Sequence, residues 1–260
     1  MKLYTNILLS LCGIVVAVAL SACGPSGDKK SESGSSSGGA SATASADPAA
    51  PPAGIPESDL KEEKPEYPKP MFIGTPVPTG AIKNLETPDP EAVKKRLNFK
   101  IPKDATNVAL KKKVTSSDAL PIIGTLDLVT DGDTDGSDGS YVELSPGKQW
   151  VQIDLAADYK IWKLLVWHFH KQTAVYFDVV VQISDDPDFK KDVTTVFNND
   201  IDNELGLGKG ADKNYVETNH GRLIDAQGAK GRYVRLWSKG NSANEMNHYI
   251  EVSVYGSPVK

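Results

Sequence analysis

Cysteine is nearly absent: the 260 residues contain two, Cys12 and Cys23. Cys12 falls inside an apolar N-terminal run with the proportions of a secretion signal. The mature chain then keeps Cys23 alone and has no internal disulfide. Without disulfides, a secreted domain must hold together through its core or a bound metal. Basic charge is also in deficit. Lysine and arginine number 29 against 34 aspartates and glutamates, a formal net charge of −5, or −6 once Lys2 leaves with the signal. That balance, with no basic stripe, argues against nucleic acid and anionic lipid surfaces as partners, since both need clustered Lys and Arg. The signatures of catalysis are missing too. No serine lies in a nucleophile-elbow context, no phosphate-cradling glycine loop follows a strand, and no His-Glu-x-x-His helix exists. No spaced pair of acids is singled out for glycosidic hydrolysis. The chain reads as a non-enzyme.

What is present begins with the N-terminus. Lys2 supplies a short positive region, and residues 7–20 form an apolar run of roughly 14 residues, short for a ~20-residue membrane span. The run ends in Leu20-Ser21-Ala22-Cys23, followed by Gly24. Small residues just before a cysteine resemble the bacterial lipobox. That resemblance implies removal of residues 1–22, acylation of Cys23 and a membrane anchor. Gly24 lacks the aspartate of an inner-membrane retention signal, so a Gram-negative envelope would carry the chain on its outer membrane, with the domain periplasmic or surface-exposed.

Residues 23–56 are almost all Ser, Gly, Ala and Pro, too apolar-poor to offset ordering entropy, and read as a disordered tether. Residues 57–104 are Pro-rich yet carry anchors such as Tyr67, Phe72, Phe99 and Ile101. They read as a partly ordered extension against the folded module. One short helix is expected near residues 90–98, with Asp89 as N-cap and Pro90 first.

From residue 105 to 257 the pattern is short strands and turns. Val151, Ile153 and Leu155 alternate with Gln152 and Asp154, Phe177, Val179, Val181 and Ile183 with Asp178, Val180 and Gln182, and Ile250, Val252 and Val254 with Glu251, Ser253 and Tyr255. Period-two alternation buries one face of each strand. Further strands are expected at residues 126–129, 141–144, 160–169, 193–197 and 231–238. Many short strands with almost no helical periodicity mean an all-β antiparallel sandwich or barrel, expected as a monomer.

Ordered blocks carry a resemblance: Asn107-Val-Ala-Leu, Val114-Thr-Ser-Ser, Thr130-Asp-Gly-Asp, Trp150-Val-Gln-Ile-Asp-Leu, Gly231-Arg-Tyr-Val-Arg-Leu and Ile250-Glu-Val-Ser-Val-Tyr-Gly. Together they resemble the discoidin domain, or coagulation factor 5/8 type C domain, whose bacterial counterparts include carbohydrate-binding module family 32. The resemblance implies a galactose-binding-like jelly-roll β-sandwich whose end loops bind ligand. It leaves two partner classes open, a glycan or a protein of the envelope.

The acidic loop holds Asp131, Asp133, Asp135 and Asp138 within eight residues. Such repulsion calls for a cation or for side chains splayed into water. An EF-hand would require glutamate at Val142, and Glu143 comes one residue late, so that motif is rejected. The family resemblance implies a structural calcium held by the Leu128 and Asp133 carbonyls, the Asp131 carboxylate and Glu251, with Asp135, Gly136 or Ser137 completing the set. A solvated acidic loop is the alternative.

For ligand binding, His170, Lys171 and Gln172 are expected to project as hydrogen-bond donors from the loop after a strand, with Trp167 and Phe169 packed on the opposite face. His168 and His170 share a face, which suits a transition metal only if further ligands join them. Trp237, Asn241, Asn244 and His248 offer an aromatic face with polar groups, and His220 with Arg222 offers a second cluster. Trp237 reads equally as packed beneath a loop. Residues 198–214 form a loop long enough to be functional or disordered.

Overall fold

A computed structural model describes residues 47–72, 79–87, 89–137 and 139–259, all within one compact unit, Gly39–Lys260. The signal segment, Cys23 and the tether up to residue 46 lie outside the described residues. No helix among those described is long and apolar enough to cross a membrane.

The elements run β1 (Leu60–Glu63), α1 (Pro90–Arg96), β2 (Phe99–Pro102), β3 (Thr106–Asn107), β4 (Lys113–Ser116), β5 (Val142–Leu144) and β6 (Gln149–Trp167), then β7 (Val180–Ser184), β8 (Thr194–Asn198), β9 (Arg222–Ser238), β10 (Asn247–Tyr249) and β11 (Glu251–Pro258). The named strands pair antiparallel throughout. One ladder runs β3-β11-β6-β9-β7-β8 with β4 also on β6, and β5 pairs with β10 in a separate two-stranded sheet.

Two long strands build both layers of the sandwich. The first part of β6 pairs with β4 and its last part with β11, while β7 meets only the final residues of β9. Between these parts the β6–β9 register breaks at Asp154/Tyr159, where Ala156 takes φ 69°. Opposite, Gln227 and Gly228 take φ 51° and 79°. Bulges of this kind bend a strand and let it change sheets. Val151, Ile153, Val181 and Leu236 then meet Leu164, Val166, Val252 and Val254 in one core, closed by Val142, Leu144 and Tyr249 of the small sheet. This is the all-β jelly-roll sandwich that the sequence blocks imply.

The other face of the β6–β11 layer is also buried. Trp162, Leu165, Trp167, Leu223 and Tyr255 form a second cluster with Phe99, Ile101 and Ala105, against which Ile55 and Tyr67 pack. The N-terminal extension covers this face, with β1 and β2 paired antiparallel across the segment that carries α1. Asp89 caps α1 by accepting from the Glu91 N–H at 3.0 Å, and Pro90 begins the helix, as expected.

Three expectations are corrected. Residues 47–56 belong to the packed unit: the fully buried Lys163 donates to the carbonyls of Pro48 at 2.8 Å and Ala50 at 2.9 Å, and pairs with Asp225 at 3.2 Å. Leu126–Thr130 is a 3-10 turn, not a strand, closed by the Leu128 N–H on the Thr125 carbonyl at 3.1 Å. Its apolar residues satisfy an i, i+3 spacing as well as alternation. β7 starts only at Val180, because Asp178 takes φ 52° and breaks the extended run.

Candidate functional site

Pairing of β5 with β10 sets His248 directly across from Glu143, and their side chains meet with Nε2 2.9 Å from Oε2. The other ring nitrogen, Nδ1, lies 2.8 Å from the buried Tyr176 hydroxyl. With the carboxylate accepting from Nε2–H, Nδ1 accepts from the tyrosine, so the ring is held in one orientation by both edges. Burial pulls the His248 pKa below its usual value despite Glu143, which keeps the imidazole neutral. Tyr176 is stacked on His168, centroids 4.3 Å apart, and His168 Nδ1 is 2.6 Å from Glu217. A buried polar relay therefore backs the surface.

Around His248 a pocket of about 140 Å³ opens between the end loops, lined by Tyr141, Phe169, Gln172, Asn241 and Asn244 as well as Glu143. Tyr141 and Phe169 are half-buried, 4.8 Å between centroids, and give the pocket an aromatic wall. Asn241 is consumed internally: its amide donates to Asn244 Oδ1 and the Met246 carbonyl, and its oxygen accepts from the Ala243 and Asn244 N–H groups. It shapes the turn that presents Asn244, whose own amide nitrogen has no acceptor among the described residues. An aromatic wall plus a few fixed polar groups can stack on a pyranose ring and bond its hydroxyls.

The acidic loop and Glu251 do come together. Glu251 Oε2 accepts from the Gly132 N–H at 3.0 Å, while Oε1 is buried with no partner among the described residues. As expected, Glu251 points away from the face of Val252 and Val254. It is nevertheless buried, because the loop folds over it. Burial, then the neighbouring Asp131 and Asp133, push its pKa up to about 8. Asp131 and Asp133 each accept from the backbone N–H two residues on. Gly136 takes φ 63°, and a Cβ there would stand 2.4 Å from Ile250 Cδ1, so this glycine lets the loop press onto the strand before Glu251. Leu128 sits in the 3-10 turn leading into the loop.

Several expected roles change. Asp135 is engaged by Lys171 at 3.0 Å and by Ser137, whose bonds lower its pKa, so it is removed from the cation set. His170 and Lys171 are buried rather than projecting, because His170 bonds the Thr134 carbonyl at 2.9 Å and Lys171 bonds Asp135. Both brace the acidic loop. His168 and His170 find no third metal ligand among the described residues. Trp167 and Phe169 pack with the second cluster, as expected.

Trp237 lies on the sheet, away from the pocket. Its Nε1 donates to Gln182 at 3.1 Å, and Arg235 lies between Trp150 and Phe189, 4.4 and 4.2 Å from their rings. His220 and Arg222 occur at another place, beside α1: His220 meets the edge of Tyr67, and Arg222 pairs with Glu86 at 2.9 Å. The expected ligand set thus divides among four locations: His170 and Lys171 on the acidic loop, His220 and Arg222 beside α1, Trp237 on the sheet, and Asn241, Asn244 and His248 at the loop-end pocket.

Of the other pocket residues, Gln172 is the one expected as a projecting donor, whereas Tyr141, Glu143 and Tyr176 carry no ligand-binding signal in the sequence. In the sequence Glu143 is only a displaced EF-hand ligand, because its partner His248 lies 105 residues further along the chain. The loop after β8 is compact: Asp200 accepts from the Glu204 and Leu205 N–H groups, and Asn198 bonds the Gly208 carbonyl. It brings ligand oxygens of Asp178, Asp200 and Asp202 within 4.8 Å of one another, the one set of three or more His, Cys, Asp or Glu side chains gathered that closely among the described residues. Burial, then Asp200 and Asp202, push Asp178 up to about 6.

No family profile matches the chain, and no curated protein matches it. Solved structures do. A family 89 glycoside hydrolase from Clostridium perfringens aligns at 21% identity and TM-score 0.43, covering 58% of this chain and 15% of that one. The family 32 carbohydrate-binding module of AlyQ, solved with 4,5-unsaturated mannuronic acid, aligns at 16% identity and TM-score 0.41, covering 55% and 92%. A fucose-binding module of Streptococcus pneumoniae aligns at 22% identity and TM-score 0.40, covering 58% and 97%. These likenesses concern the fold, and the chain spans about 15% of the hydrolase.

Proposed function

We propose that this chain is a lipoprotein of the bacterial envelope, anchored through Cys23, whose β-sandwich binds carbohydrate without turning it over. The observation that carries the reading is the loop-end pocket, where His248 is fixed between Glu143 and Tyr176 beside the Tyr141–Phe169 wall. The aromatic wall stacks on the apolar face of a sugar ring, and Asn244, Gln172 and Glu143 bond its hydroxyls. His248, with both ring nitrogens engaged, positions Glu143. A glycan array probed with the detergent-solubilised mature protein tests this: a sugar signal abolished by Asn244→Ala and Gln172→Ala together supports it. No sugar signal, with an envelope protein retained instead, favours a docking role, for which the half-exposed Trp150, Arg235 and Trp237 supply interface-type residues. Incorporation of labelled palmitate, lost in Cys23→Ser, tests the anchor.

A structural calcium completes the reading. The donor set fits: a buried carboxylate oxygen without a donor, beside two further carboxylates, is stabilised by a hard cation with oxygen ligands. Glu251 and Asp131 would hold it with their carboxylates, and Asp133 with its carbonyl. When bound, the ion neutralises the loop and fixes its backbone. Titration with calcium after chelation, followed by thermal melting, checks it.

A further inference from the structure

A cavity between α1 and the start of β9 belongs neither to the loop-end pocket nor to the acidic loop, and its charge runs against that of the chain. It encloses about 390 Å³, inside the range of small-molecule sites. Ala92, Val93, Leu97, Leu165 and Leu223 give it apolar walls, yet two guanidinium groups converge there. Arg222 Nη1 donates to both oxygens of Glu86 at 2.9 Å, and Arg96 Nη1 stands 3.4 Å from one of them. One carboxylate therefore serves two arginines, and the Nε of each is buried without an acceptor among the described residues. Lys213 also lines the cavity. Its charged walls thus comprise three cations, Lys213, Arg96 and Arg222, against Glu86 and Asp89, an excess of one positive charge in a chain of net charge −5. Arg222 is no mobile surface side chain: it is 8% exposed, with its guanidinium 4.5 Å from the Tyr215 ring.

We propose that this cavity binds a small organic carboxylate with an apolar or ring-shaped body. Guanidinium groups match a carboxylate in plane and charge, and the apolar walls take the body. A neutral sugar would leave the excess charge uncompensated. A phosphate dianion would overshoot it beside Glu86. The carboxylate is either that of a free organic acid or that of an acidic sugar residue. The site stands apart from the carbohydrate reading, since it shares no residue with the His248 pocket.

Calorimetric titration of the detergent-solubilised mature protein tests this with four probes: glucuronate, benzoate, glucose and inorganic phosphate. Glucuronate or benzoate is expected to bind, with glucose and phosphate at least tenfold weaker. Glucuronate alone assigns the site to acidic sugars, and benzoate as well assigns it to organic acids at large. Arg96→Gln is expected to weaken the carboxylate at least fivefold, while Glu86→Gln, which removes the competing carboxylate, strengthens it. Should Glu86→Gln disturb folding, the exposed Lys213→Gln serves instead, with weaker binding at an unchanged melting temperature. Binding of neither acid, binding indifferent to Arg96→Gln, or a preference for phosphate overturns the proposal.

Discussion

Replacing Glu251 by glutamine isolates the electrostatics of the acidic loop. Glu251 is 1% exposed, with one oxygen unpartnered, and its pKa rises from 4.5 to about 8. The folded chain therefore keeps a proton that the unfolded chain releases above pH 4.5. The sign follows directly: stability from this group is greatest below pH 4.5 and declines as pH climbs, levelling off beyond about 8. At about 1.4 kcal/mol for each tenfold, the metal-free protein at pH 7.5 is roughly 4 kcal/mol less stable than at pH 4.5 on this account alone. Glutamine stays neutral, retains an oxygen for the Gly132 N–H and turns an amide toward Asp131 and Asp133. In chelator, Glu251→Gln should exceed the wild type by about 2–4 kcal/mol at pH 7.5, with the gap closing by pH 5. Calcium at about 100 times its Kd should add about 2.7 kcal/mol to the wild type and nothing to the variant. Urea unfolding followed by tryptophan fluorescence, at four pH values with and without calcium, measures all of this. Parallel pH profiles, a less stable variant at pH 7.5, or equal gains from calcium would refute the reasoning.

Lys163→Met strands the buried Asp225 and releases the carbonyls of Pro48 and Ala50. A loss of about 3–5 kcal/mol by denaturation is expected, largely restored by adding Asp225→Leu. Asp202→Asn relieves repulsion at Asp178, so the Asp178 pKa, now about 6, should fall part of the way toward 3.8, with burial still holding it up. Carboxyl NMR titration reads that shift, and a gain of roughly 1 kcal/mol at pH 7 that vanishes by pH 4 accompanies it. Trp237→Ala should leave sugar affinity within about twofold by calorimetry, because the ring lies on the sheet with Trp150; a tenfold loss would move the site there. A fragment starting at residue 105 lacks Phe99 and Ile101, buried to 1% and 0% exposure, each worth about 1.5–3 kcal/mol. It should bind a hydrophobic dye and melt well below the chain that begins at residue 47.

Strand alternation and the α1 cap were legible because they depend on neighbours in sequence. Val151, Ile153 and Leu155 alternate as the sheet demands, and Asp89-Pro90 begins the helix. Less legible was whatever depends on distant cover. Nothing local shows that the second face of β6 is buried, since Lys163 sits among apolar residues with a charge that reads as surface. Its partners are backbone carbonyls more than a hundred residues earlier, and carbonyls leave no trace in composition. Glu251 was correctly brought to the acidic loop, but its burial came from the loop closing over it. His170 and Lys171 looked like projecting donors because their sequence is polar. Their acceptors, Thr134 and Asp135, lie across the fold and draw them inward.

That inward bracing joins the two parts of the site. The run His170-Lys171-Gln172 holds the acidic loop with its first two side chains and lines the loop-end pocket with the third. On the other side, His248 and Glu251 are three residues apart, and Ile250 between them carries the close contact with Gly136. A cation that fixes Asp131, Asp133 and Glu251 therefore restrains both strips that frame the pocket without touching it. Coupling of this kind is reciprocal: whatever factor calcium adds to sugar affinity, sugar must add to calcium affinity. On the proposed reading, the acidic loop would act on sugar affinity through the order of the pocket rather than through contact with the ligand.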